Sequence, residues 1–193
     1  MTARAAEAVV IGASAGALEA LSGILPTLPS DYGLPVMVVV HVPLDKKSIL
    51  AELFRAKCRV RVQEAEDKEP IRAGTVYFAP PDYHLLIETG RSLSLSTDEP
   101  VLYSRPSLDV LFESAADAYG PGLVAIVLTG ANEDGARGLK AVSEAGGKAI
   151  VQVPGAAYAS AMPQAAIALC PQAEVLPLEK IAAYLQNIGK SGL

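Results

Sequence analysis

The chain has 193 residues, a formal net charge of −5 and 51% hydrophobic residues. That is enough for one sizeable core, and the acidic balance, with no basic stripe interleaved with aromatics, argues against nucleic acid as the main ligand. Mean hydropathy is high at +0.31, yet the apolar runs are short and broken by Gly, Pro and charge, so neither a membrane span nor an inserted segment is expected.

The N-terminus has no signal-peptide layout, and a cytoplasmic protein is expected. Cys58 and Cys170 form neither a CxxC nor a Cys/His spacing, so neither zinc nor a disulfide framework is indicated. In chain order, Val9-Val10-Ile11 reads as a strand that stops at Gly12-Ala13-Ser14-Ala15-Gly16 and restarts as a helix. The turn fits G-x-S-x-G, in which a strand-to-helix turn presents a serine hydroxyl beside backbone N–H donors. A dinucleotide-binding turn would need glycine where Ser14 and Ala17 stand, and a ribose-binding carboxylate about 20 residues on. Ser14 as a simple helix cap stays open on the turn alone.

Leu18, Leu21, Ile24, Leu25 and Leu28 recur at helical spacing up to Pro26 and Pro29, which predicts a helix with these residues inward. Pro35 to His41 is a second buried strand, completing a right-handed βαβ unit. Lys46 to Lys57 reads as a helix with Ile49, Leu50, Leu53 and Phe54 inward, and Arg59 to Gln63 as a short strand with Arg59 and Arg61 in solvent. After a charged irregular stretch, Gly74 to Ala79 is a strand ended by Pro80-Pro81, and His84–Glu88 with Ser92–Ser96 across Gly90 gives a hairpin signal. Ser107 to Tyr119 is a helix entered by Pro106. The apolar strand Leu123–Leu128 is followed by a loop to Gly135, a helix from Ala136 to Glu144 and a strand from Ala149 to Val153. A short helix from Pro163 to Leu169 and an amphipathic helix from Leu178 to Ile188 close the chain. The expected fold is α/β: a three-layer αβα, doubly wound, mostly parallel sheet with a small antiparallel hairpin, in one domain over 1–193.

Open parallel sheets carry their functional crevice beyond the carboxyl ends of the strands, where Ser14, His41 and Asp134 all fall. A serine hydroxyl needs an imidazole to take its proton, and the imidazole needs a carboxylate to fix its tautomer. Only two histidines are present; His84, just past the proline pair, is expected at the rim. The blander readings are a strand-end His41 bonded to a backbone carbonyl and an Asp134 favoured by a helix N-terminus.

Gly12–Gly16, His41-Val42-Pro43, Tyr77 to His84, Arg105-Pro106-Ser107-Leu108-Asp109, Leu128-Thr129-Gly130 with Asp134-Gly135, and Met162-Pro163 together resemble one family. In the same order, they are similar to the catalytic domain of the chemotaxis-receptor protein-glutamate methylesterases, over about residues 7 to 188. The resemblance implies a doubly wound domain with a catalytic triad at Ser14, His41 and Asp134. It also implies oxyanion donors at the backbone of Ala15 and Ala131, and substrate contacts at Gly130, His84, Arg105 and Met162. No metal or cofactor is expected. The chain departs from the family at Ala15, where threonine is usual, at Ala131, where methionine is common, and at Val153-Pro154-Gly155, which replaces an acidic residue after Gln152.

The implied reaction is hydrolysis of glutamate methyl esters on a methylated chemoreceptor or related signalling protein, releasing methanol. Glutamine deamidation at the same site, or a non-catalytic binding module, are the alternatives. The first strand begins almost at once, so a stand-alone catalytic domain without a preceding receiver domain is expected, regulated by a separate protein.

Overall fold

Segments with no polar face build the centre of the molecule. In a computed structural model, which describes residues 5–41 and 49–190, the strands Ala8–Ala13 (β1) and Val36–Val40 (β2) are buried at every position, as a parallel sheet covered on both faces requires. They pair in parallel with Arg61–Glu64 (β3), Thr75–Phe78 (β4), Leu123–Val127 (β7), Lys148–Gln152 (β8) and Glu174–Leu176 (β9), in the spatial order β3-β4-β2-β1-β7-β8-β9. His84–Ile87 (β5) and Leu93–Ser96 (β6) form a separate antiparallel pair, with His84 opposite Ser96.

The helices are Ala17–Ser22 (α1), Leu50–Arg55 (α2), Leu108–Tyr119 (α3), Ala136–Glu144 (α4), Ala161–Leu169 (α5) and Leu178–Ile188 (α6). Alternate β1 residues feed two cores. Val9 and Ile11 pack with Leu21, Phe54 and Ile181 on the α1, α2 and α6 side. Ala8 and Val10 pack with Leu85, Phe112, Leu139 and Met162 on the side of α3, α4, α5 and the hairpin. This is the expected three-layer, doubly wound architecture with its small hairpin. Among the described residues no helix is long and apolar enough to cross a membrane.

Several elements differ from the expectations. The first helix ends at Gly23, and Leu25–Thr27 forms a separate 3₁₀ turn with Pro26 at its start, because proline cannot donate to a continuing helix. The short α1 buries Ala17, Ala20 and Leu21, which leaves Leu18 at its side 49% exposed. Ile49 stands ahead of the first turn of α2 and is 63% exposed, while Phe54 is buried. Lys46 to Ser48 of the expected helix, and Val42-Pro43, lie outside the described residues. α5 starts at Ala161, with Pro163 in its first turn, where a missing N–H costs no helical bond. β9 was not expected: it is three residues long, and its edge position leaves Val175 exposed, so no hydrophobic alternation announces it.

α3 and α4 touch closely. A Cβ on Gly138 would lie 2.6 Å from Phe112 Cβ and 3.0 Å from Asp109 Cα. Asp109, 2% exposed on α3, accepts the N–H groups of Gly135 (3.0 Å) and Gly138 (2.7 Å) on Oδ1, so it closes the start of the facing helix.

Gly138→Ala tests this contact. Alanine is the better helix former by about 1 kcal/mol, but overpacking at such a junction costs about 1–3 kcal/mol, so urea unfolding should show no gain from the alanine and a net loss of up to about 2 kcal/mol. Asp109 gives a second test. Burial, the largest influence, pushes its carboxyl from 3.8 up to about 6. The unfolded chain therefore releases this proton first, and stability falls as pH rises between those two values. Asp109→Asn removes that fall, so wild-type stability relative to the variant should drop by on the order of 1–3 kcal/mol from about pH 3.5 to about pH 7.

Candidate active site

Register places the serine beside the histidine. Ala13 is opposite Val40 and its carbonyl accepts the His41 N–H at 3.2 Å, so Ser14 and His41 leave neighbouring strands, roughly 5 Å apart, at the same edge. On the other side of β1 the Ser14 N–H donates to the Thr129 carbonyl at 2.9 Å, which ties the serine turn to the loop after β7.

His41 Nε2 bonds Asp134 Oδ2 at 2.7 Å, with the His41 side chain 11% exposed and Asp134 fully buried. The Asp134 carboxylate has further donors. Oδ1 accepts the Ser107 hydroxyl at 2.8 Å and the Asp109 N–H at 3.0 Å, and Oδ2 also accepts the Leu108 N–H at 2.7 Å. The first turn of α3, the positive end of that helix, is thus aimed at Asp134. Burial alone would raise this carboxyl; the bonds from the His41 ring and from the Asp109 and Leu108 N–H groups outweigh it and hold the group below its ordinary value. An ionised acceptor on Nε2 keeps the ring proton there, which makes Nδ1 the nitrogen able to accept a proton from Ser14. No hydrogen bond joins Ser14 Oγ to the ring among the described residues; such contacts are often loose until substrate arrives.

The peptide after Ser14 is fixed from both sides. The Ser14 carbonyl accepts the Ala17 N–H at 2.9 Å, and the Ala15 carbonyl accepts the Thr129 hydroxyl at 2.8 Å. Thr129 in turn gives its N–H to Gln152 Oε1 at 2.9 Å and accepts the Ala159 N–H on its hydroxyl at 2.9 Å. Among the described residues, the N–H groups of Ala15 and Ala131, the two expected oxyanion donors, have no protein acceptor.

Each of the four expected substrate contacts bonds or packs within the protein. His84 is 1% exposed; its Nε2 donates to the Glu99 carbonyl at 3.0 Å and its Nδ1 accepts the Ser107 N–H at 3.2 Å. Arg105 donates to Asp82 Oδ1 through Nε and Nη2, and to the Thr97 and Asp98 carbonyls through Nη1, so it staples two loops. Met162 is fully buried, with its sulfur 2.6 Å from where a Gly130 Cβ would stand. Gly130 donates its N–H to the Ala159 carbonyl, and its own carbonyl accepts the Met162 N–H. Sequence reasoning assigned no role to Ser107, Asp109, Thr129 or Gln152. Ser107 looked like a helix start, and its acceptor lies in a distant loop. Clefts of about 220 Å³, bordered by Gly16, Thr129, Gln152 and Tyr158, and about 680 Å³, bordered by Tyr103, Asn132, Glu133 and Ala161, flank this edge. Among the described residues no group of three or more His, Cys, Asp or Glu is placed to hold a metal ion.

The chain matches known proteins over almost its whole length. The CheB methylesterase family model matches residues 9–185. A Leptospira interrogans protein, provisionally named protein-glutamate methylesterase/protein-glutamine glutaminase, is 46% identical over 187 residues, covering 97% of each chain. The Rhodospirillum rubrum protein-glutamate methylesterase/protein-glutamine glutaminase 1 is 38% identical over 185 residues, which cover 92% of this chain and 47% of that one. The crystal structure of the Thermotoga maritima CheB methylesterase catalytic domain superposes with a TM-score of 0.90 at 32% identity, covering 96% of this chain and all of that one. The chain belongs to the CheB methylesterase family.

Proposed function

We propose that this chain is a serine hydrolase that removes methyl esters from glutamate side chains of a methylated chemoreceptor-like signalling protein. The observation that carries the reading is the 2.7 Å His41–Asp134 pair, held by the start of α3 at the strand edge that also presents Ser14. Ser14 Oγ attacks the ester carbonyl as His41 Nδ1 takes its proton. The imidazolium so formed is stabilised by Asp134 at Nε2–H. The N–H groups of Ala15 and Ala131 receive the charge that develops on the carbonyl oxygen, a task typically worth about 10²–10³ in rate per donor. His41 returns the proton to the departing methoxide, methanol leaves, and water cleaves the glutamyl-serine ester by the same route in reverse. The curated relatives' names pair this activity with a protein-glutamine glutaminase, and the same acyl-enzyme would form from a glutamine side chain with ammonia leaving.

Methanol release from a methylated receptor fragment tests the reading. Ser14→Ala and His41→Ala should each abolish most of it, and the double variant should be no slower than either, because the two act as a unit; full additivity would contradict the assignment. Asp134→Asn can donate its amide to Nε2, which drives the ring proton to Nδ1, so kcat should fall roughly 10⁴-fold. Thr129→Val loses the hydroxyl that anchors Ala15, and kcat should fall about 10- to 100-fold with little change in KM, while Thr129→Ser retains activity.

A further inference from the structure

On the far side of the Asp134 loop a cavity of about 500 Å³ opens between α4, α5 and the turn at Val101–Ser104, within the range that holds a small organic molecule. Its walls are apolar: Val101, Leu102, Ala136, Ala165, Ala168 and Leu169. Asp109 also lines it. Oδ1 of this 2% exposed carboxylate holds the Gly135 and Gly138 N–H groups, whereas Oδ2 has no hydrogen-bond partner among the described residues. A carboxylate oxygen at the edge of an apolar cavity calls for a donor.

The surrounding charge says which kind. Glu133 borders the cavity, and Arg137, the one cation bordering it among the described residues, is already paired with Glu113 at 3.3 Å. Asp109, Glu133 and Glu113 therefore outnumber one guanidinium, which favours a positive occupant. Asp109 Oδ2 and the exposed Glu133 carboxylate supply too few oxygens for a hard metal ion, which takes six or more oxygen ligands.

We propose that this cavity binds a small organic cation, an ammonium or guanidinium on an apolar body, with the cation donating to Asp109 Oδ2 and the body lying on the alanine face of α5. The occupant engages the carboxylate whose other oxygen holds the residue after Asp134, so it sits one hydrogen bond away from the His41 partner. Besides burial, the groups acting on Asp109 are the Gly138 N–H, which lowers its carboxyl, Asp134 and Glu113, which raise it, and Arg137, which lowers it; the result is about 6. The cation needs the ionised form, so binding weakens as pH falls through that value.

Calorimetric titration of the full chain with phenethylammonium, and with 2-phenylethanol as its neutral counterpart, tests this. At about pH 7.5 the ammonium should bind saturably at one site, at least about tenfold more tightly than the alcohol, and lose about fivefold or more at about pH 5. Asp109→Asn, which keeps an oxygen for Gly135 and Gly138, should abolish the preference for the ammonium. Ala165→Trp, which fills the cavity from α5, should abolish binding of both. Equal affinity for the two compounds, no saturation by about 10 mM, or undiminished binding to Ala165→Trp would overturn the proposal. The titration does not pass through ester hydrolysis, and the Ser14→Ala protein should give the same isotherm.

Discussion

The sheet edge that carries Ser14 and His41 depends on a carboxylate that is buried yet ionised. Asp134 is out of water, and an isolated charge there would cost several kcal/mol. It stays charged because four donors converge on it: the His41 ring, the Ser107 hydroxyl and the N–H groups of Leu108 and Asp109. Three of these come from the start of α3, so the helix that covers one face of the sheet also sets the electrostatics of the site. Asp109 answers from α3 to the start of α4. Each of the two helices thus has its first N–H groups met by a carboxylate on or beside the other, and a shift of either helix would disturb both ends of the clasp.

The parallel sheet does the remaining positioning. Because β1 lies between β2 and β7, a residue just past its end has His41, at the end of β2, on one side and the loop after β7 on the other. Ser14 occupies that place. The Thr129 hydroxyl and the Gln152 amide extend the arrangement across β7 to β8, so the serine turn is braced by backbone and side-chain bonds instead of by bulk. This brace suits a turn whose neighbours, Ala15 and Gly16, carry almost no side chain.

The central architecture was legible in the sequence because its signals are local. Continuous apolar runs marked β1, β2 and β7, and glycine and proline marked most boundaries. That Ser14, His41 and Asp134 lie at one sheet edge was legible because each follows such a run, and the His41–Asp134 bond joins two of them. What sequence did not yield are partnerships across long separations. His84 looked like a rim residue, but its two nitrogens are met by the Glu99 carbonyl and the Ser107 N–H. Arg105 looked available and is held by Asp82, Thr97 and Asp98. Leu18 and Ile49 fit a helical period, yet Leu18 lies on the open side of α1 and Ile49 stands ahead of the first turn of α2, so both are exposed. β9 pairs at an edge where no burial pattern is imposed.

The tautomer of His41 is the direct readout of the central claim, that Asp134 holds the ring proton on Nε2 and leaves Nδ1 to act as base. Long-range proton–nitrogen correlation NMR of the neutral ring, in protein labelled at histidine nitrogen, reports it. With Asp134 as its partner the ring should show a protonated Nε2 and a bare Nδ1; a neutral ring with its proton on Nδ1 would overturn this assignment.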